Sequence, residues 1–213
     1  MDSCISWLLG IIVGDGYVSR YFVEISDQYC ENLLIVKKCV EVLGYKAVIS
    51  KDRRENRYRL WINSKRFVEY VCSLGVKQSS IPSYVVAGGL QEKLRFIQGL
   101  FDAEGYIEFW KPRRSIRINF ANKDRDLICF VSNMLRLLGI KTYVRFSSKV
   151  YRLQIYSKRD ISAYMKYVGF AYPTKIRRYQ ALLKLINGAR PRGGGLKLKG
   201  IGGGAPQGVE PAV

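Results

Sequence analysis

The sequence contains no histidine. That absence removes the usual general base at neutral pH, the imidazole ligands of zinc sites, and the Ser-His and Cys-His nucleophile systems together. Acids are scarce too, 17 Asp and Glu against 36 Lys and Arg, for a formal net charge of +19. The chemistry that remains must use carboxylates, lysines and metal. Five cysteines, at positions 4, 30, 39, 72 and 129, form no Cys-x-x-Cys pair and leave an odd count, so neither a zinc ribbon nor a disulfide framework is expected. They read as small core hydrophobes of a protein in a reducing compartment. Long apolar runs are missing as well. The opening run, Ile5 to Val13, is too short to span a bilayer and no basic n-region precedes it, so neither a transmembrane helix nor a signal peptide is expected, and a cytoplasmic, nucleoid or organelle-matrix location follows.

What is present is a folded, basic chain. Its 213 residues are 48% hydrophobic, enough for one large domain or two small ones, and include 15 Tyr, 9 Phe and 3 Trp, far more than a disordered basic tail would carry. With a pI near 9.9, such a chain points to a polyanion, and a folded nucleic-acid binder leads over a ribosomal-type structural protein or a membrane-surface protein.

One stretch recurs. Trp7-Leu8-Leu9-Gly10-Ile11-Ile12-Val13-Gly14-Asp15-Gly16-Tyr17 returns, altered, as Phe96-Ile97-Gln98-Gly99-Leu100-Phe101-Asp102-Ala103-Glu104-Gly105-Tyr106. Each copy is an apolar run of helical length that ends in a carboxylate followed by glycine. A helix C-terminus carries partial negative charge and disfavours an acid there by up to roughly 1 kcal/mol, so two such acids suggest a bound cation. Gly10 and Gly14, and likewise Gly99 and Ala103, mark a stripe without side chains along each helix. Glycine inside a helix costs about 1 kcal/mol against alanine, and close packing of the two stripes is the natural compensation. Asp15 and Glu104 would then meet at the bottom of one interface.

These residues resemble the LAGLIDADG homing endonucleases in their single-chain, two-motif form. Leu8 to Gly16 and Ile97 to Gly105 cover the nine-letter motif, with Asp15 and Glu104 on its active acidic position. Val13 departs from the motif's first acid, which Asp102 keeps; that acid is not a metal ligand in the family. The resemblance spans about residues 5 to 188 and implies a sequence-specific double-strand DNA endonuclease that initiates mobility of its intron. It also implies a divalent metal, Mg2+ with Mn2+ able to substitute, in whose shell the carbonyls of Gly14 and Ala103 join Asp15 and Glu104. Two other readings of the same fold stand beside it: a maturase that binds intron RNA and assists splicing, and a non-cleaving DNA-binding regulator. A protein-splicing origin is disfavoured by the lack of histidine.

The elements after each motif follow one plan. In the first half, alternation through Tyr21, Val23 and Ile25 reads as a strand, Glu31 to Leu43 as a helix ended by Gly44, Lys46 to Lys51 and Arg57 to Asn63 as strands joined across 52–56, and Ser64 as the cap of a helix running to about Leu74. The second half offers strands at Tyr106 to Trp110 and Ser115 to Ala121, a helix from about Asp126 to Leu138, strands Lys141 to Phe146 and Val150 to Tyr156, Ser157 matching Ser64, and a final helix from about Thr174 to Asn187. The predicted architecture is α+β: two pseudo-symmetric αββαββα repeats, 1–76 and 91–189, joined by a linker at 77–90, packed through the motif helices, with antiparallel sheets forming a DNA-binding saddle. Residues 190–213 read as a disordered Gly/Pro-rich tail.

Further site residues are expected at equivalent places. Gln28 and Lys123 precede the long helix of each repeat, and Lys77 and Lys175 follow the second helix; similar proteins place phosphate- or water-contacting side chains and an active-site lysine there. Strand alternation sends Arg57, Arg59 and Trp61 in one repeat, and Arg117, Asn119, Arg152, Gln154 and Tyr156 in the other, to the face away from the core, with Arg113 and Arg114 in the adjoining turn. Such side chains suit bidentate contacts to bases in a major groove of double-stranded DNA. Glu24 and Glu108 are the acids expected on these faces. With both motif helices in one chain, the protein is expected to act as a monomer.

Overall fold

The computed structural model describes residues 2–52 and 55–188. Two repeats follow the same order. The first comprises α1 (Asp2–Asp15), β1 (Gly16–Val18), β2 (Val23–Asp27), α2 (Cys30–Val42), β3 (Val48–Asp52), β4 (Arg57–Ile62) and α3 (Lys65–Ser73). A short helix α4 (Ser83–Ala87) leads into the second: α5 (Leu90–Ala103), β5 (Tyr106–Trp110), β6 (Ser115–Asn122), α6 (Arg125–Leu137), β7 (Tyr143–Ser147), β8 (Val150–Ile155), α7 (Lys158–Tyr167) and α8 (Pro173–Gly188). Each repeat forms a four-stranded antiparallel sheet in the order β1-β2-β4-β3 or β5-β6-β8-β7. The fold is α+β and duplicated, as the repeated sequence plan implies.

Local chemistry sets these boundaries. Ser64 accepts from the Phe67 amide at 3.2 Å and Ser157 from the Asp160 amide at 3.0 Å, so the two matched serines cap α3 and α7. Strand alternation buries Ile25, Leu60 and Ile62 on one side of the first sheet and Ile116, Ile118, Phe120, Leu153 and Ile155 on one side of the second.

Three expectations change. Tyr21 does not continue a strand, because Ser19 turns the chain between β1 and β2, its hydroxyl accepting from the amides of Tyr21 and Phe22. Segment 77–90 holds α4, started by Pro82 and anchored by buried Val85. Cys4 and Cys39 form a disulfide, with Cα atoms 5.8 Å apart; α1 and α2 bring them together across a separation that spacing rules cannot read, whereas Cys30, Cys72 and Cys129 are free. The tail 190–213, and Arg53 and Arg54 of the turn, lie outside the described residues. Among those described, no helix is long and apolar enough to cross a membrane.

The centre of the molecule is the α1–α5 seam. A β-carbon on Gly10 would lie 2.2 Å from the Phe96 carbonyl oxygen and 2.9 Å from the Gly99 Cα, and one on Gly99 would lie 2.1 Å from the Trp7 carbonyl oxygen. The obstructing atoms are backbone, so neither helix can yield without separating from the other. Above this contact, Trp7 Nε1 donates across the seam to Asp102 Oδ2 at 2.9 Å.

Gly10→Ala is therefore expected to cost roughly 3 kcal/mol or more, the upper end of overpacking effects. Gly44, in the left-handed region at φ 84° with open space around its β position, should lose only about 1 kcal/mol on the same change. Urea unfolding midpoints of the two variants compare these costs directly.

Candidate active site

Because α1 and α5 touch through their small residues, their C-terminal ends are held side by side. Asp15 is the last residue of α1, and Glu104 caps α5. A β-carbon on Gly14 would fall 2.6 Å from the Ala103 Cβ and 3.5 Å from the Glu104 Cγ, so Gly14 and Ala103 meet directly beneath the two acids. Burial raises both carboxyls, Glu104 to about 7. Asp15 pushes Glu104 further up, while the ammonium of Lys175 pulls both acids down. Two desolvated carboxylates facing each other are poorly compensated by one lysine.

A cavity flanks the acids on each side. The one beside Asp15, about 350 Å³, is lined by Asp27, Gln28, Arg57, Asp102, Thr174 and Lys175. Its mate, about 540 Å³, is lined by Val13, Val76, Lys77, Ser80, Asn122 and Leu127. Asn122 reaches Glu104: its Nδ2 donates to Oε2 at 2.8 Å, while its Oδ1 accepts from the Asp124 amide at 2.9 Å. The second bond fixes which end of the amide faces the acid. Asp27 occupies the matching turn of the first repeat, accepting from the Tyr29 amide at 2.7 Å and from Asn32 Nδ2 at 3.1 Å.

Lys175 is built into the end of α5. Its Nζ donates to the carbonyls of Phe101 and Gly105, each at 2.6 Å, and to that of Asp102. An ammonium at a helix C-terminus meets the favourable end of the macrodipole. Burial nevertheless lowers its pKa to about 8, against the acids around it.

The structure thus gathers Asp15, Glu104, Gly14, Ala103, Gln28 and Lys175 at the seam, with Lys77 exposed on the lip of the larger cavity. Lys123 is exposed and lines neither cavity; the preceding Asn122 makes the contact instead. Asp27 and Asn122 each stand one residue before the expected Gln28 and Lys123, at the same place ahead of the long helix of each repeat.

The outward faces are less uniform than strand alternation alone suggests. Arg59 is neutralised by Glu24 at 2.8 Å, Asp52 at 2.8 Å and Glu55 at 3.2 Å, so two acids join Glu24, the one expected on this face. Arg57 pairs with Glu55 at 3.1 Å, and Trp61 Nε1 donates to Ser50. Asn119 is buried at 1% exposure, its amide bonded to Gln154 at 2.7 Å and to Glu108 at 3.4 Å. Arg117 lies over the Trp110 ring at 3.7 Å, with Arg113 also near it at 5.3 Å. Among the described residues, Arg117, Arg145 and Arg152 have no acidic partner within salt-bridge distance, all three on outward rows of the second sheet. Arg114 and Tyr156 stand at the sheet's end, where they line a groove with α7 and α8.

Residues 91–169 match the LAGLIDADG-like domain, and the structure supplies a second copy of its motif helix across the seam. The chain is similar to LAGLIDADG proteins. Across its whole length, and the whole length of the relative, it is 29% identical to homing endonuclease I-ApeI of Aeropyrum pernix. It is 28% identical to homing endonuclease I-DmoI of Desulfurococcus mucosus over 73% of this chain and 81% of that one. The crystal structure of I-DmoI with DNA and Ca superimposes with a TM-score of 0.62 at 22% identity, covering 84% of this chain and 98% of that one. A weaker match takes in 78% of this chain and only 18% of a tRNA-splicing ligase from Pyrococcus horikoshii. With α1 and α5 in one chain, both halves of the seam are present.

The donor set suits a hard cation. Two carboxylates and the C-terminal carbonyls of two helices offer oxygen only, and no imidazole exists in the sequence. Among the described residues no group of three or more His, Cys, Asp or Glu forms a complete cage, so any cation here would take further ligands from water or a bound phosphate.

Linkage gives a test that needs no substrate. A carboxyl raised above its ordinary value holds its proton in the folded state, so the stability it contributes is complete below about 4.5 and is lost as pH rises toward about 7. Glu104→Gln should therefore raise the melting temperature of metal-free protein at pH 8, with the gain shrinking toward pH 5. Calorimetry in EDTA at the two pH values reads it; a drop at pH 8 contradicts the burial argument.

Proposed function

We propose that the protein is a site-specific double-strand DNA endonuclease that hydrolyses phosphodiesters at the α1–α5 seam. The observation that carries this reading is the meeting of Asp15 and Glu104 between two sheets of a strongly basic chain. The homing endonucleases I-ApeI and I-DmoI, whose sequences it resembles, support it, as do I-DmoI structures containing DNA with Mn or Ca.

Asp15 and Glu104, with the carbonyls of Gly14 and Ala103, would hold a divalent cation, for which Mg2+ is the natural candidate and Mn2+ a substitute. Bound there, the cation supplies Lewis acidity to a phosphodiester and lowers the pKa of water. The protein's own groups do the rest. Asn122 orients Glu104 so that its other oxygen is free to face the seam. Lys175 offsets the negative charge of the paired acids while leaving their carboxylate oxygens available. Gln28 and Arg57 line the cavity beside Asp15, where an amide and a guanidinium suit a backbone phosphate, and Lys77 stands in the corresponding place on the other side. The role of Lys123 is limited to phosphate contact from its exposed position ahead of α6.

The two sheets would lie in successive major grooves, forming a saddle over the scissile region, with each repeat reading one half-site as a monomer. Arg117, Arg145 and Arg152, without an acidic partner among the described residues, bring positive charge to the second sheet, whereas Arg59 is held by Glu24, Asp52 and Glu55. Trp61 and Arg57, and through the same rows Asn119 and Gln154, shape the face. Arg113, Arg114 and Tyr156 at the sheet's end would meet flanking phosphates.

Asp15→Asn and Glu104→Gln are each expected to lower cleavage in Mg2+ by orders of magnitude while leaving DNA affinity nearly unchanged. Undiminished cutting by either variant removes the metal assignment, and RNA binding without any DNA cutting by the unaltered protein would favour the maturase reading. Arg152→Ala should reduce the salt dependence of DNA binding by about one counterion, and Arg59→Ala should scarcely change it. Titrations at several salt concentrations distinguish the two arginines.

A further inference from the structure

The two cavities beside the seam occupy equivalent places yet are built unequally, and one substitution lies at the root. Asp102 is buried on α5 and accepts from the amides of Ala171, at 2.9 Å, and Tyr172, at 3.1 Å, besides Trp7. The carboxylate thereby pins the loop that enters α8. Three residues on, Lys175 is seated in the α5 carbonyls, and Thr174 exchanges hydrogen bonds with Asn32 at 2.9 and 3.0 Å. The Asp15 cavity is closed down by these ties.

In the first repeat the position of Asp102 is taken by Val13, which lines the larger cavity with Val76, Lys77, Gln78, Ser79 and Ser80. A valine side chain offers no acceptor to that loop. The position of Asn32 is taken by Leu127, equally unable to hold it. Lys77 is exposed, in the left-handed region at φ 70°, a conformation disfavoured for a residue with a β-carbon. Among the described residues, Ser80 ties this loop to the second repeat by a hydrogen bond with Asp124, while Val76 and Gln78 donate their amides to the carbonyls of Val71 and Gly75 within the first.

We propose that residue 13 makes the half-sites unequal: the Asp15 half is organised before DNA binds, the Glu104 half is completed only when loop 76–80 closes on DNA, and the strand served by Asp15 is cut first. The order of cutting rests on the endonuclease reading; the inequality of the loops does not. Val13, Asp102 and Asn32 act as positioning residues, through the loops that carry Lys77 and Lys175.

Hydrogen exchange on the full chain without DNA tests the loops. The amides of Lys77, Ser79 and Ser80 should exchange roughly tenfold or more faster than those of Ala171 and Tyr172. Val13→Asp should slow exchange in 76–80, and Asp102→Asn should speed it at 171–172; the second variant reads the same pin if the first fails to fold. Equal protection of the two loops in the unaltered protein, or a folded Val13→Asp variant with unchanged exchange, overturns the inference. With both strands of a duplex target end-labelled, one strand should be cut ahead of the other, and Val13→Asp should speed the lagging strand. Simultaneous cutting of both strands overturns the proposed order, whereas no cutting at all would sink the endonuclease reading and leave the exchange result to judge the loops.

Discussion

The close approach of α1 to α5 governs the rest of the molecule. Gly10 and Gly99 lie with backbone against backbone, and the seam they form fixes three things together: the separation of the repeats, the meeting of Gly14 with Ala103, and the pairing of Asp15 with Glu104. Helices with ordinary side chains at these positions pack about 8–10 Å apart. At such a distance two short acids would not share one site. The acids, in turn, are uncomfortable: both are raised by burial, and Glu104 is raised further by its partner. Tight packing therefore carries an electrostatic cost at its end, and that cost is concentrated where chemistry is proposed.

Much of this was legible in the sequence because it is local or repeated. The small-residue stripe, the acid-glycine helix ends, the capping serines 64 and 157 and the alternation in β4, β6 and β8 each follow from short-range rules. What escaped was set by tertiary neighbours. The disulfide joins Cys4 to Cys39, which no spacing rule connects. Arg59 looked free along its strand but meets acids from β2, β3 and the following turn. Asn119 and Gln154 point outward by alternation yet satisfy each other. Lys123 and Asn122 are neighbours in one turn, and that the amide rather than the ammonium meets Glu104 depends on a turn geometry the sequence does not display.

Duplication has not produced two equal halves. The strand order is identical in both sheets and the motif helices are interchangeable in outline, but the polar side chains around them have diverged: aspartate against valine on the motif helix, aspartate against asparagine before the long helix, asparagine against leucine within it. Backbone packing resists such change because each glycine is confined by main-chain atoms. Polar groups around the cavities are confined only by their partners, so a pair can be lost together without disturbing the seam.

The seam also orders the chain in time. Its two helices lie at the starts of the two repeats, so a nascent chain that has emerged only through the first repeat carries α1 with its glycine stripe and apolar neighbours uncovered. The contacts of α1 with β1, α2 and β2, and its disulfide to α2, hold its other faces and leave this stripe open. The first repeat must wait, partly exposed, until α5 has been made, and the clasp of Thr174 and Arg177 in α8 on Asn32 and Glu31 of α2 cannot form until the second repeat is nearly complete. A protein whose halves each resemble a small domain is, in its folding, a single long-range event, and its slow step is expected to be the docking of two helices rather than the formation of either sheet.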